Sequence, residues 1–336
     1  MSRKLLLLPP LGLVFAGCAL WWLYYDMQRQ LQEPLPLADD STLFIAPGEG
    51  LNTIAAGLVK KGWLEQPYYF IFETRRQGRA RLLKAGEYEV TVGTTPLQLL
   101  DILVDGKVRQ YSMTIPEGWS FRQILRAVRD NPRLLATLDT EQPRRVMAEL
   151  GYSGIFAEGR IYPDTYFFPA GTTDREFLRR AIKMQEKVLM EEWRQRAEGL
   201  PYASPYEALI MASIVEKETA VVEERERIAG VFVRRLQQNM KLQTDPTVIY
   251  ALGQAYDGDI RRKDLSIDSP YNTYLYRGLP PTPIASPGRE AIHAALHPEP
   301  GTALYFVARG DGSHYFSDTL AEHNRAVEKY QLGAAR

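Results

Sequence analysis

The feature that most constrains this chain is an uncharged run near its N-terminus, from Leu5 to Tyr25. A helix needs about 20 apolar residues to cross the hydrocarbon core of a bilayer, and this run is long enough. Arg3 and Lys4 precede it, and it ends in the aromatic segment Trp21–Tyr25. Basic residues favour the inner side of a membrane, and aromatic residues favour its interface. The sequence therefore predicts a retained single-pass anchor over residues 1–26, with the chain beyond residue 26 outside.

Two alternatives to a retained anchor stay open. A cleaved signal peptide needs small residues before its cleavage site, whereas this run ends in bulky aromatic residues. The segment Phe15–Cys18 resembles the site at which a lipoprotein precursor is cleaved and its cysteine lipidated. Apolar residues follow Cys18, however, where a lipoprotein would carry a polar tether. Cys18 is also the single cysteine, so no disulfide can form within the chain.

The composition indicates a globular protein with more than one domain. The chain has 336 residues, of which 45% are apolar and 24% charged. Its 41 basic residues balance its 41 acidic ones, which argues against a nucleic-acid-binding protein. A polar stretch with two prolines over 27–40 is typical of a linker. Short strand patterns alternate with amphipathic helices in a small unit over 41–112 and in a larger unit over 113–336, which predicts an α+β fold.

A long apolar helix that begins at Pro205 carries the strongest candidate for a catalytic residue. At about 100° per residue, Glu218 falls in the middle of the apolar face that includes Ile214, and Glu216 falls on the opposite side. Burial of a carboxyl in an apolar face disfavours its charged form and raises its pKa. A carboxyl that keeps its proton near neutral pH can act as a general acid. The pattern therefore favours Glu218 over Glu216 as a functional carboxyl.

This interpretation depends on where the helix ends. If the helix simply stops near Thr219, Glu218 is left in solvent. If the helix ran on without a break, Arg225 would return to the face of Glu218 and lower the pKa of its carboxyl. A general acid at Glu218 therefore predicts a break in the helix at about Thr219 to Val222.

The helix and the chain that follows it resemble the YceG-like endolytic murein transglycosylase family (MltG). The resemblance is ordered along the chain and extends over about 41–330. It is carried by Val215–Thr219, Leu242–Tyr250, Tyr271–Tyr274, Gly278–Pro281, Ala295–Pro298, His314–Phe316 and His323–Asn324. One departure is Arg234, where the family usually has an asparagine; we expect a structural role for this position.

The resemblance implies a bacterial cell-wall enzyme with no cofactor. It would cleave the β-1,4 bond between N-acetylmuramic acid (MurNAc) and N-acetylglucosamine (GlcNAc) without water, leaving 1,6-anhydro-MurNAc ends on nascent strands and terminating their polymerisation. The single acid/base of the family is the second glutamate of Glu-Lys-Glu-Thr, here Glu218, so the resemblance and the helical wheel agree.

The resemblance also implies an organisation and a location. It assigns a LysM-like α/β module to 41–112 and a mixed α+β catalytic domain to 113–336. The protein would lie in the bacterial inner membrane, with its catalytic domain in the periplasm. Its partners would be peptidoglycan glycan strands and the cell-wall polymerases and transpeptidases known as penicillin-binding proteins, with no nucleic acid.

Two segments after Glu218 carry candidates for contact with sugars. Asp245 is either a second carboxylate in the cleft, acting with Gln243 to orient substrate or polarise Glu218, or a cap of the turn before Pro246. A second set combines flat apolar faces with hydrogen-bonding groups and is suited to sugars, although it could equally form a Pro-Tyr-Asn turn: Tyr271, Asn272 and Tyr274.

His293 and His297 are four residues apart, a spacing that can bring two imidazoles to one metal ion. Pro298 ends the helix at once, and no cysteine can act as a further ligand, so we expect no metal. Two other functions stay open beside lytic transglycosylation. One is a peptidoglycan-binding scaffold without activity, and the other is a hydrolytic muramidase that pairs Glu218 with Asp245.

Overall fold

The computed structural model describes residues 8–332, and side chains from residue 13 to residue 331. Its contacts divide the chain into two compact units. The first comprises the chain up to Tyr111 together with Phe167–Thr172, and the second comprises Ser112–Tyr166 and the chain from Thr173 onward. Helices are combined with small two-stranded sheets, which confirms the predicted α+β class.

The N-terminal helix, α1, covers Leu8–Gln32. It includes most of the run for which we predicted a membrane anchor. Residues 5–7 of that run and the two basic residues before it lie outside the described residues. The aromatic side chains from Trp21 to Tyr25 are exposed. Over residues 8–332, the structure contains no helix with both the length and the apolarity required to cross a membrane.

The last turns of α1 differ from the linker expected over 27–40, because they pack into the first unit. Met27 and Leu31, one helical turn apart, are buried, and so is Leu35 beyond the end of the helix. The hydroxyl of Tyr69 donates a hydrogen bond of 3.0 Å to Oδ2 of Asp26. Polar residues separate these apolar ones in the sequence, which conceals the buried face of the helix.

The first unit consists of a two-stranded antiparallel sheet, β1 (Ser41–Ile45) and β2 (Gly86–Val90), with the helices α2 (Leu51–Lys60), α3 (Tyr68–Arg76) and α4 (Pro96–Asp105). Leu43 and Tyr88 are paired in register, and both side chains are buried. The hydroxyl of Tyr88 donates a hydrogen bond of 2.6 Å to the carbonyl of Lys84. Thr95 and Gln98 form a capping box, which fixes the start of α4.

Most of the remaining elements belong to the second unit. Two further two-stranded sheets pair β3 (Gln110–Thr114) with β4 (Thr165–Pro169) and β5 (Tyr305–Ala308) with β6 (His314–Ser317). The chain passes between the units within β3 and within β4. In chain order the elements are β3 (Gln110–Thr114), α5 (Phe121–Asp130), α6 (Pro143–Glu149), β4 (Thr165–Pro169), α7 (Asp174–Arg194), α8 (Pro205–Glu218), α9 (Arg225–Gln237), α10 (Asp245–Leu252), α11 (Arg289–Leu296), β5 (Tyr305–Ala308), β6 (His314–Ser317) and α12 (Leu320–Val327).

Helix α8 lies at the centre of the second unit, in contact with α7, α9, α10 and α11. Its residues from Ala208 to Val215 are all buried, so the helix is enclosed on every side rather than along one apolar face. Ser213 is the one hydroxyl in this buried stretch. It donates to the carbonyl of Ile210 at 2.7 Å and accepts from the backbone N–H of Ile284 at 2.9 Å. Because α8 is enclosed in this way, the positions of the residues at its C-terminus are fixed relative to the surrounding helices.

Candidate active site

Helix α8 ends at Glu218, and the chain becomes extended at Thr219, where φ is −143° and ψ is 137°. A short 3-10 turn over Val222–Glu224 follows, and α9 begins at Arg225. The predicted break after Glu218 is therefore confirmed, and Arg225 does not continue α8.

Glu218 keeps partial exposure as a residue, but its carboxyl is densely surrounded by protein atoms. The hydroxyl of Thr244 donates a hydrogen bond to its Oε1. Burial raises the pKa of Glu218 to about 7; the hydrogen bond from Thr244 acts in the opposite direction, and the nearby charge of Asp245 raises the pKa further. The direction is the one that the helical wheel predicts. A carboxyl with this pKa can both give and take a proton near neutral pH.

The segment before Thr244 is a structured turn. Arg235, buried on α9, donates from Nη1 to the carbonyl of Leu242 at 2.8 Å. Gln243 has a φ of 54°, which lies in the left-handed region that side-chain-bearing residues rarely adopt. Its amide oxygen accepts from Nη1 of Arg235 at 3.3 Å. Gln243, a predicted substrate ligand, thus takes part in the turn that brings Thr244 to Glu218.

Asp245 is exposed at the first position of α10, one residue after Thr244. Its Oδ1 accepts a hydrogen bond of 2.5 Å from the hydroxyl of Tyr274. Burial and this hydrogen bond raise the pKa of Tyr274, which therefore keeps its proton. Because the charge of Asp245 raises the pKa of Glu218, the two carboxyls are electrostatically coupled. Asp245 thus lies at the start of α10 beside Glu218 and Tyr274. Its role in a substrate cleft stays a prediction.

Asn272 differs from its predicted role in substrate binding because its side chain is fully buried. The amide nitrogen donates to the carbonyls of Leu265 at 3.0 Å and Ile267 at 2.9 Å. The amide oxygen accepts from the backbone N–H of Tyr274 at 3.0 Å. Asn272 therefore holds the loop that presents Tyr274, and its polar groups are engaged within the protein.

Glu216 lies on the side of α8 opposite to the face of Ile214, and this side is also covered by protein. The start of α9 and the loop before α11 cover this side, and the side chain of Glu216 is only 5% exposed. Nη2 of Arg225 lies 3.2 Å from its Oε1, and the backbone N–H of Gly288 donates to its Oε2 at 3.0 Å. Burial raises the pKa of Glu216, whereas Gly288 and Arg225 lower it. Glu216 and Arg225 thus form a buried ion pair.

Glu192, His293 and His297 are the group in residues 8–332 whose ligand atoms lie close enough to share a metal ion. The two imidazole rings are stacked, with centroids 4.1 Å apart and planes 19° apart. Their lone pairs therefore lie in two nearly parallel planes, which is unfavourable for binding one ion between them. Glu192 already accepts from Arg289 at 2.5 Å and lies 2.9 Å from Nδ1 of His293. The geometry is that of an ion-pair cluster between α7 and α11.

The sequence model of the YceG-like family matches residues 43–329. The chain belongs to the YceG-like family. This confirms the resemblance found in the sequence. An endolytic murein transglycosylase of Bacillus subtilis (strain 168) is 33% identical to this YceG-like chain over 321 residues, which is 90% of this chain and 88% of that protein. An endolytic murein transglycosylase of Streptococcus pneumoniae serotype 2 is 28% identical over 345 residues, covering 91% of this chain and 62% of that protein.

A solved structure supports the same assignment. The crystal structure of a yceG-like protein from Listeria monocytogenes is 32% identical to this chain, with a TM-score of 0.54. It covers 86% of this YceG-like chain and 99% of its own. Arg234, the departure from the family pattern, donates to the carbonyls of Ala303 at 2.7 Å and Glu299 at 3.0 Å. Its contacts are with backbone, as expected for a structural position.

The sequence missed a second buried carboxyl in this YceG-like chain. Glu158 accepts from the backbone N–H of Phe121 at 2.8 Å and from the hydroxyl of Tyr250 at 3.0 Å. Burial raises the pKa of Glu158 to about 7. Tyr271, a predicted sugar contact, packs its ring against Tyr250 at 4.9 Å and lies within 2.8 Å of the hydroxyl of Thr282. The only signal in the sequence is a single acidic residue at the start of a loop rich in glycine and aromatic residues.

Glu158, Tyr250 and Tyr271 also line a cavity of about 1100 Å³ in the second unit. Glu218 itself does not line it. Lys217 and Pro246 do, and these residues adjoin Glu218 and Asp245 in the chain. The cavity therefore borders the two chain segments that carry Glu218 and Asp245.

Proposed function

We propose that this protein is an endolytic lytic transglycosylase of peptidoglycan, with Glu218 as its single general acid/base. The observation that carries the proposal is the enclosed carboxyl at the end of α8, whose pKa is raised to about 7. The proposal is further supported by a relative of similar length, from Bacillus subtilis, that carries the name endolytic murein transglycosylase. Peptidoglycan glycan strands are accordingly the proposed substrate.

The proposed reaction needs one carboxyl. Protonated Glu218 gives its proton to the glycosidic oxygen while the bond from that oxygen to C1 of MurNAc breaks. The 6-hydroxyl of the same MurNAc then bonds to C1, and the carboxylate of Glu218 takes the hydroxyl proton. The products are a GlcNAc hydroxyl end and a 1,6-anhydro-MurNAc end, with the acid restored. Most glycoside hydrolases use two carboxyls, but here a hydroxyl of the substrate replaces the second one.

A hydrolytic muramidase is the second candidate, favoured by the coupling of Asp245 to Glu218. Asp245 would then act as base or nucleophile, and water would supply the new hydroxyl at C1. A scaffold without activity is the third candidate. The two enzymes leave different ends on a cut strand, and the scaffold cuts no strand.

The test uses the full chain in detergent with purified strands and identifies new ends by mass spectrometry. Anhydro ends, which are lighter than reducing ends by one water, are expected from the wild type. Glu218→Gln should lose nearly all cleavage, because an amide is too weak an acid to give a proton to the glycosidic oxygen. The matched control on the same helix is Glu216→Gln, which should keep substantial activity. Reducing ends would replace this proposal by the muramidase, and no cleavage by the wild type would favour the scaffold.

We also propose that residues 1–26 anchor the protein in the bacterial inner membrane with the rest in the periplasm. The support is the run Leu5–Tyr25 with the basic residues before it and the aromatic residues at its end. In this arrangement a LysM-like module over 41–112 would hold glycan strands. Penicillin-binding proteins that polymerise and crosslink nascent strands would be neighbours, and cleavage would terminate strand growth.

Fractionation of cells tests the anchor. Cys18→Ser should stay in the membrane fraction at full length, whereas a chain lacking residues 1–25 should be released. The truncation keeps Asp26, Met27 and Leu31, because these residues pack in the first unit. A mature N-terminus at Cys18, or release of Cys18→Ser, would show that lipid provides the anchor.

A further inference from the structure

The cavity that borders the segments of Glu218 and Asp245 is larger than the site of a single sugar requires. Its volume of about 1100 Å³ is slightly above the range of about 300–1,000 Å³ for pockets that bind small molecules. Helix α5, the start of α6 and helix α10 form its walls. Aromatic side chains contribute apolar surface, namely Trp119, Phe121, Phe156, Tyr250, Tyr256 and Tyr271.

The charged groups of this cavity are mostly cationic. Arg122 and Arg126 lie one turn apart on α5, Arg144 lies at the start of α6, and Lys217 lies at the end of α8. The acidic residues that line the cavity are Asp130 and Glu158. Glu158 already accepts two hydrogen bonds from the protein, and burial keeps it partly uncharged near neutral pH. The cavity therefore carries an excess of positive charge.

Over residues 8–332 none of these four cations forms an ion pair, although the charge of Arg122 lowers the pKa of Glu158. Arg122 and Arg126 are both exposed, and they lie one turn apart on α5. By contrast Arg129, also on α5 but outside the cavity, pairs with Glu141 at 2.8 Å. A guanidinium binds a carboxylate through two parallel hydrogen bonds, which makes paired arginines a suitable site for carboxylates.

The cavity and the reacting carboxyl are supplied by the same chain segments. Lys217 precedes Glu218 at the end of α8, and Pro246 follows Asp245 at the start of α10. A chemical group that occupies the cavity would therefore belong to the same substrate molecule as the glycosidic bond that Glu218 is proposed to cleave. In peptidoglycan the group that branches from the muramic sugar is a short peptide with free carboxylates and small apolar side chains.

We propose that this cavity binds the carboxylate-bearing peptide of the substrate strand, with Arg122 and Arg126 as its carboxylate-binding residues. The inference rests on the proposed function and adds a specificity to it. The enzyme distinguishes strands that carry peptides from strands that do not. The aromatic walls contact the apolar parts of the peptide, and the arginines contact its carboxylates.

The test compares strands that carry peptides with strands whose peptides have been removed by an amidase, using the full chain in detergent. The quantity measured is the ratio of kcat/KM for the two substrates. The double variant Arg122→Met/Arg126→Met should lower this ratio by about tenfold to a hundredfold, the size expected for charge-assisted hydrogen bonds. Arg129→Met, the matched control on α5, should leave the ratio at its wild-type value. Added salt should reduce the wild-type ratio, because it screens exposed charges.

The outcomes separate this inference from the proposed function. If the wild type cuts both substrates and the double variant keeps the wild-type ratio, the cavity does not bind the peptide. An equal loss on both substrates would overturn the inference too, since the arginines would then act on the sugars. The single variants Arg122→Met and Arg126→Met repeat the test with smaller changes should the double variant fold poorly. If the wild type cuts neither substrate, the proposed function itself fails.

Discussion

Thr244 donates a hydrogen bond from its hydroxyl to Oε1 of Glu218, and the next residue in the chain is Asp245. One turn thus brings two opposing influences to a single carboxyl. The hydrogen bond favours the charged form of Glu218, and the neighbouring negative charge disfavours it. Burial adds to the effect of the charge and is the largest of the three. The two polar influences can be removed one at a time, and their effects on the pKa of Glu218 have opposite signs.

Removal of the hydroxyl in Thr244→Val should move the alkaline limb of the kcat/KM profile to higher pH. The carboxylate loses a donor, so the protonated form of Glu218 persists to higher pH. Hydrogen bonds to charged groups contribute about 1.5–3 kcal/mol, and one pKa unit corresponds to about 1.4 kcal/mol, so we expect a shift of about one to two units. Thr244→Ser keeps the donor and should keep the wild-type limb. An unchanged limb in Thr244→Val would show that this hydrogen bond does not set the pKa.

Loss of Arg225 should destabilise the protein through Glu216. Both side chains are buried, and Arg225→Met would leave the carboxylate of Glu216 with the backbone N–H of Gly288 alone. Removal of one partner from a buried ion pair lowers the free energy of unfolding by about 3–5 kcal/mol. The double variant with Glu216→Gln should regain part of this loss, because no buried charge remains unpaired. Urea denaturation measures the free energy of unfolding of Arg225→Met, of Glu216→Gln and of the double variant. Losses that simply add in the double variant would mean that the pair is not coupled.

The sequence predicted the features of this site that depend on local rules. The end of α8 followed from the requirement that Arg225 must not share a face with Glu218. The raised pKa of Glu218 followed from the apolar residues around it in the helix. Both arguments use neighbours within about two helical turns, for which the spacing of residues in a helix gives their relative positions.

Features that depend on distant parts of the chain were missed or predicted wrongly. Glu216 is buried because Arg225 and Gly288, from other elements, cover its side of α8. Glu158 is buried against Phe121 and Tyr250, which lie 37 and 92 residues away in the chain. A helical wheel of α8 contains none of these contacts. The prediction that Asn272 binds substrate was wrong for the same reason. Its side chain is hydrogen-bonded to the backbone carbonyls of Leu265 and Ile267, and the sequence does not show that the folded loop brings these groups together.

The buried carboxyl of Glu158 should make the stability of the protein depend on pH. Its pKa is about 7 in the folded state against 4.5 for an ordinary glutamate, so the folded state binds the proton more tightly. This contribution to stability is complete below about pH 4.5 and is lost as the pH rises through 7. The loss is on the order of 3 kcal/mol. The free energy of unfolding in urea should therefore differ less between pH 5 and pH 8 for Glu158→Gln than for the wild type.

The control for this measurement is Glu198→Gln, which changes an exposed carboxyl in the same unit. Its free energy of unfolding should change between pH 5 and pH 8 by the same amount as that of the wild type. Glu218 contributes in the same direction as Glu158 and is unchanged in both variants. An equal dependence on pH in Glu158→Gln and in the wild type would mean that the carboxyl of Glu158 is solvated when the protein is folded.

Asp245→Asn should move the alkaline limb to lower pH, the direction opposite to that of Thr244→Val. The variant removes the negative charge that raises the pKa of Glu218, and its amide oxygen can still accept the hydrogen bond from Tyr274. Tyr274→Phe is the control, because it keeps the charge of Asp245 and should keep the limb near its wild-type position.

At a pH below the limb, Asp245→Asn should still cut strands and leave anhydro ends, because only Glu218 exchanges protons with the substrate. A muramidase that uses Asp245 as base or nucleophile would instead lose activity at every pH, by about 10²–10⁴-fold for a lost acid–base group. A loss of that size, with reducing ends from the wild type, would assign Asp245 a direct part in the chemistry and end the case for a single carboxyl.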